Sequence, residues 1–203
     1  MPKIINHEKQ KEKIAEATWR VIQREGLEGA TVRKIAKESG LSMGSMRHYF
    51  SSQSQLFAFS MELINSKAEQ RINSMNLFSA GPNVEDIRRV LLQLLPLDAE
   101  RKLETQVWLS FSAKSLSDPE LQALAGRFYD ILYDALKLVL DSLISLNLAK
   151  PDLDKEIEAE RLCALIDGLG YHCIMRPDQI TPVMIESVLM HHLESLCSSK
   201  GKK

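Results

Sequence analysis

Polar and apolar positions recur along this chain with the period of about 3.6 that helices impose, and no stretch alternates with period two. A first helix is expected over about 9–25. Ile14, Ala17, Val21 and Ile22 form its inward stripe, Thr18 and Trp19 stand at its border, and Gly26 ends it. Two short helices follow within 31–50. Thr31 can cap the first, on which Val32, Ile35 and Ala36 share a face while Arg33, Lys34 and Lys37 point away. Gly40 supplies the positive φ that closes it, Ser42 caps the second (about 43–49), and Met46 and Phe50 turn inward. A long helix over about 54–75 is apolar nearly all round at its start, through Leu56, Phe57, Phe59 and Met61.

The second half repeats this punctuation. Gly81-Pro82-Asn83 is a break, after which helices are expected over 84–95 and 99–116. Asp118-Pro119-Glu120 is a helix start, with a capping acid, a first-turn proline and an acid at the positive end of the dipole. The stripe of that helix, to about 147, takes in Leu121, Leu124, Phe128, Ile131, Leu132, Ala135, Leu138, Val139, Ser142 and Leu143. The helix over 154–175 points Ile157, Leu162, Leu165, Ile166 and Leu169 inward. Its Gly168 and Gly170 suit close helix approach. A last helix covers 182–198; residues 1–8 and the tail SSKGKK read as unstructured ends. The expectation is an all-α chain of about nine helices, divided into a helix-turn-helix domain (1–53) and a helical effector-binding and dimerisation domain (54–203).

Helix, glycine turn and short helix within 31–50 form the layout of a helix-turn-helix. Its second helix would enter the major groove, and the small Gly44 and Ser45 would let its backbone approach. Thr31, Val32, Arg33, Ser42, Met43, Gly44, Ser45, Arg47, His48, Tyr49 and Gln53 are the candidate DNA-binding residues. Charge supports this placement. The net charge is only −1, yet residues 1–50 carry ten Lys/Arg against six Asp/Glu, a +4 head on a −5 remainder.

Other chemistries find little footing. Cys163, Cys173 and Cys197 form no CxxC and read as reduced thiols of a cytoplasmic protein, and no signal peptide or membrane-length apolar run is present. The spacing of His172 and Cys173, and of His191, His192 and Cys197, makes no metal or catalytic set. There is no HExxH, Gly-rich phosphate loop or G-x-S-x-G. No catalytic residue, metal or cofactor is expected. In the body, Met61, Trp108, Phe111, Phe128, Tyr129 and Tyr133 can line a ligand cavity or serve as ordinary core. Ala164, the glycines and Val188-Leu189-Met190 suggest that the last two helices pair with another helix pair.

Residues about 10–57 resemble the DNA-binding domain of the TetR family of bacterial regulators. The resemblance is carried by Ile14, Ala15, Ala17, Gly26, Thr31, Val32, Ile35, Ala36, Gly40, Ser42, Gly44, Ser45, His48, Tyr49, Phe50 and Leu56. Gln53 departs from it, standing where the family often has lysine. The body is similar to the subgroup of choline-responsive BetI-type repressors, through Trp108, Asp118-Pro119-Glu120-Leu121, Glu158-Ala159 and Leu165-Ile166-Asp167-Gly168-Leu169. The resemblance implies a homodimer through the last two helices, binding a palindromic double-stranded operator and released by a small-molecule effector. A family-like activator, or a helical adaptor that binds protein and no DNA, are the alternatives.

Overall fold

The structure is a computed structural model and describes residues 7–75 and 83–198. The Gly81-Pro82 break, residues 1–6 and residues 199–203 lie outside the described residues; His7 and Glu8, expected in an unstructured arm, are already helical. Among these residues the chain forms α1 (His7–Gly29), α2 (Val32–Ser39), α3 (Met43–Tyr49), α4 (Gln53–Ser74), α5 (Val84–Leu92), α6 (Ala99–Ser115), α7 (Pro119–Ser145), α8 (Lys155–Met175) and α9 (Pro182–Leu196). The only strand-like pairing among them is an isolated antiparallel bridge between Ala149 and Cys197. Gly26 interrupts α1 with φ 74°, so the expected stop is a kink followed by one more turn.

Contacts gather the described chain into two units. The first comprises residues up to Glu69 and Gln106–Ala125; the second comprises Gln70–Thr105 and everything from Gly126. These units divide α4, α6 and α7 internally. The first unit is centred on α1. Ile14, Ala17 and Val21 are fully buried, and so, contrary to the expected border position, are Thr18 and Trp19. The Trp19 indole N–H donates to the Ser60 carbonyl (3.0 Å), which lets a large ring with a polar edge be enclosed. The Thr18 hydroxyl donates to the Ile14 carbonyl one turn back.

In the second unit α5, α7, α8 and α9 share a core that includes Leu91, Leu136, Leu140, Leu143, Leu162, Ile166, Leu189 and Leu193. Of the expected α7 stripe, Leu121, Leu124, Phe128, Val139 and Leu143 are buried. Leu136 and Leu140 are buried, whereas Ile131, Ala135 and Leu138 (68% exposed) face outward. A helix apolar on most of its circumference does not state by spacing which arc is covered. Ile157, expected inward, is 58% exposed for the same reason. Gly170 does sit at a close approach, since a Cβ there would lie 3.3 Å from Thr105 Cγ2; at Gly168 nothing is within 4 Å.

α5 ends at Leu92, a turn before the proline that was expected to close it. The Leu92 carbonyl is taken by the Arg101 guanidinium (2.7 Å), and the Gln93 and Leu94 N–H groups bond three residues back. The same unit holds a buried ion pair. Arg71 donates through both terminal nitrogens to the two carboxylate oxygens of Glu104, each at 2.9 Å, with Glu104 only 7% exposed. These charge-assisted bonds raise the Arg71 pKa despite its partial burial.

Candidate nucleic-acid interface

The turn between α2 and α3 is built from local hydrogen bonds. The Thr31 hydroxyl accepts from Lys34 N–H, and the Ser42 hydroxyl from Ser45 N–H (3.0 Å), meeting one orphan donor at each helix start. Gly40 has φ 72°, and Leu41 N–H reaches back to the Ala36 carbonyl (2.9 Å), the hydrogen bond that closes a helix at a left-handed glycine. Ile35, Ala36, Met46 and Phe50 are buried beneath.

With its inner face anchored, α3 exposes Met43, Gly44, Arg47 and His48; Ser45 and Tyr49 are half-buried. Arg33 is exposed on α2 and Val32 is half-buried. The Ser45 hydroxyl lies 2.9 Å from that of Ser42. A Cβ on Gly44 would meet only Ser42 Oγ, at 3.7 Å, so nothing inside the protein calls for glycine there. The Gln53 side chain is also engaged within the protein, donating from Nε2 to the Ala30 carbonyl (2.9 Å) just before the Thr31 cap.

Two neighbours escaped sequence reasoning. The His7 ring lies 4.9 Å from that of Tyr49, joining the start of α1 to the end of α3 across 42 positions that no periodicity links. Glu38 holds Arg20 (2.9 Å) and Arg24 (3.1 Å), binding α1 to α2. The Arg20 hydrogen bond, seconded by that of Arg24, keeps the Glu38 carboxyl below the usual carboxylate range. Several basic residues of the head thus serve its own packing. Lys34 likewise pairs with Glu25.

The candidate pocket residues fall in both units. Met61, Trp108 and Phe111 belong to the first, where the Trp108 and Phe111 rings stack at 6.1 Å. Phe128, Tyr129 and Tyr133 belong to the second. There the Tyr129 and Tyr133 hydroxyls donate to the carboxylates of Glu160 (2.6 Å) and Glu156 (2.8 Å), which raises both phenol pKa values. None of the six lines a cleft of about 340 Å³ in the first unit, bounded by Leu27, Phe57, Leu121, Lys114 and Asp118 among others. Burial pushes the Cys163 thiol up to about 11, which disfavours the nucleophilic thiolate.

Residues 14–58 match the model for bacterial regulatory proteins of the tetR family, and residues 83–198 match that for the C-terminal domain of BetI-type transcriptional repressors. The chain belongs to the TetR family. It is a transcriptional regulator, not an enzyme. It is 41% identical to the HTH-type transcriptional regulator PksA of Bacillus subtilis, over 97% of this chain and 94% of that one. It is 29% identical to the regulator BetI of Vibrio vulnificus, over 96% of each. Among solved structures, a transcriptional regulator from Rhodococcus sp. Rha1 superposes with TM-score 0.77 at 29% identity, covering 92% of this chain and 95% of that one. A regulator from Saccharomonospora viridis in complex with choline superposes with TM-score 0.82, covering 94% and 99%; at 23% identity it speaks for the fold alone. No helix among the described residues of this TetR-family chain is long and apolar enough to cross a membrane.

Proposed function

We propose that this TetR-family regulator is a cytoplasmic homodimeric repressor, binding a palindromic operator through α2 and α3 and released by a small molecule bound in its body. The functional boundary would fall near residue 53. The observation that carries the DNA reading is the outward face of α3. Arg47 and His48 are exposed, and Gly44 stands where a side chain would meet nothing of the protein. Arg47 and His48 can donate to base edges or phosphate, and Thr31, Arg33, Ser42 and Tyr49 to the backbone on either side. Met43, Ser45 and Val32 would complete the contact surface. Gln53 contributes by holding the start of α2.

A second copy is the expected cover for the outer face of α8 and α9. Ile157, Tyr171 and Met175 on α8, and Val183 and Met184 on α9, are large, apolar and exposed. A two-fold pair places two recognition helices on two half-sites, so self-association and operator symmetry would match. The effector would favour a conformation in which the two heads no longer fit the half-site spacing, and it can do so only by binding the two states unequally.

The test is anisotropy of a labelled fragment from upstream of the regulator's own gene, across a salt series, against scrambled DNA. Selective binding with a steep salt slope, lost in Arg47→Ala, is the expected result. Absence of binding even at low salt, with the helical fold intact, would move the reading to the protein-binding adaptor. Sedimentation of the free protein as a monomer at micromolar concentration would remove the dimer.

A further inference from the structure

The first turn of α1 (His7, Glu8, Lys9, Gln10) has no apolar residue to anchor it. Such turns fray, because their N–H groups lack partners within the helix. Rings hold this one. The His7 imidazole packs on the Tyr49 ring at 4.9 Å, tilted by 36°. One turn on, the Lys11 ammonium stands 5.5 Å from the centre of the Phe59 ring, and Phe59 packs on Phe50 at 5.5 Å. Glu8 ties the two contacts together. Its carboxylate accepts from Lys11 (3.4 Å) and lies 3.5 Å from His7 Nδ1.

Tyr49 needs such a neighbour. It is the last residue of α3, a helix of seven residues whose buried member is Met46. Two rotatable bonds separate its ring from the backbone, and a ring free at both would sweep its hydroxyl over a wide arc. Tyr49 is nonetheless half-buried, where Arg47 and His48 beside it are exposed. Its hydroxyl is open to a partner. Tyr129 and Tyr133 donate theirs to Glu160 and Glu156, whereas the Tyr49 hydroxyl makes no hydrogen bond among the described residues.

We infer that His7 is a positioning residue of the operator-binding surface: its ring holds that of Tyr49, so that the Tyr49 hydroxyl meets a DNA phosphate already ordered. This rests on the DNA reading above. A side chain fixed before binding loses less rotamer freedom on binding, so its hydrogen bond to phosphate adds more affinity. His7 acts through Tyr49 and not on DNA. The start of α1 thereby joins the recognition surface, although 42 positions separate it from the end of α3.

The experiment is a double-mutant cycle on the full-length protein: His7→Ala, Tyr49→Ala and both together, read by anisotropy of the upstream fragment. His7→Ala should weaken operator binding by about two- to tenfold, the range of a ring pair. In the Tyr49→Ala background the same substitution should have no further effect. His7→Phe, which keeps a ring and removes both ring nitrogens, should restore most of the affinity. Tm of each variant should stay within about 3 °C of the parent's, since these side chains lie at the surface. Additive losses would make His7 a DNA contact in its own right. Failure of phenylalanine to rescue would assign its role to the imidazole nitrogens, and unchanged affinity in His7→Ala would leave it no role. Each of these overturns the inference. A second readout needs no DNA. The Tyr49 ring signals in an aromatic carbon–proton spectrum, assigned by their loss in Tyr49→Phe, should shift in His7→Ala. Unmoved signals would show that the rings do not meet in solution and would overturn it as well. Failure of the unsubstituted protein to bind the fragment, with the ring signals shifting as expected, would instead sink the DNA reading on which the inference rests, and so be told apart.

Discussion

The helix-turn-helix and the α4–α6 region find partners for their polar groups in opposite ways. In the α2–α3 turn the solutions are local. Thr31 meets Lys34, Ser42 meets Ser45, and Leu41 returns to Ala36. Between α4 and α6 the solutions reach across the fold. Arg71 finds Glu104 thirty-three residues away, and Asn65 and Ser112 find nothing. A locally satisfied segment can present its outer face to a partner without changing shape. A segment satisfied at long range, or left unsatisfied, can respond when something new enters.

The largest expected effect separates the two regions by stability. Arg71→Met strands the Glu104 carboxylate, which is 7% exposed, and should cost about 3–5 kcal/mol in denaturant unfolding. The pair Arg71→Met with Glu104→Leu should recover most of it. A small loss in the single variant would mean that the pair is solvated and the contrast is weaker than drawn. In the head the large effect falls on binding instead. Arg47→Ala, exposed on α3, should weaken operator binding at least tenfold while leaving Tm unchanged.

Ser42→Ala removes the α3 cap and should cost about 1 kcal/mol of stability, read by thermal unfolding. Gly44→Ala sharpens the comparison, because it separates fold from contact. Its Cβ has room within the protein, so stability should hold or rise by at most about 1 kcal/mol. Operator affinity should nonetheless fall, because the added methyl group stands where DNA approaches. Unchanged affinity would move the contact away from the start of α3.

The smallest effect concerns pH. The Glu38 carboxyl, held down first by Arg20 and then by Arg24, contributes stability that is present above its unfolded pKa and is lost as pH falls through its lower folded value. Glu38→Gln should therefore be less stable than the parent at neutral pH. The gap should close on acidification below about pH 4. A gap independent of pH would assign the loss to packing.

Much of this contrast was legible beforehand. A cap, a glycine stop and a stripe of three apolar positions are statements about residues within one or two turns, which helix geometry relates whatever the rest of the chain does. Thus the α2–α3 turn forms where the spacing placed it, and α2, α3 and α7 start directly after Thr31, Ser42 and Asp118. What lay beyond one turn was decided by tertiary structure. Helical spacing puts Trp19 at a border, yet it is enclosed, because its indole finds the Ser60 carbonyl 41 residues on. On α7, Leu136 and Leu140 are enclosed in place of Ile131, Ala135 and Leu138, because several apolar arcs were available and the neighbouring helices selected one. The Arg71–Glu104 pair and the unmet atoms of Asn65 and Ser112 leave no trace in periodicity. A hydrogen bond between distant helices depends on where their axes cross, and local order along the chain does not carry that information.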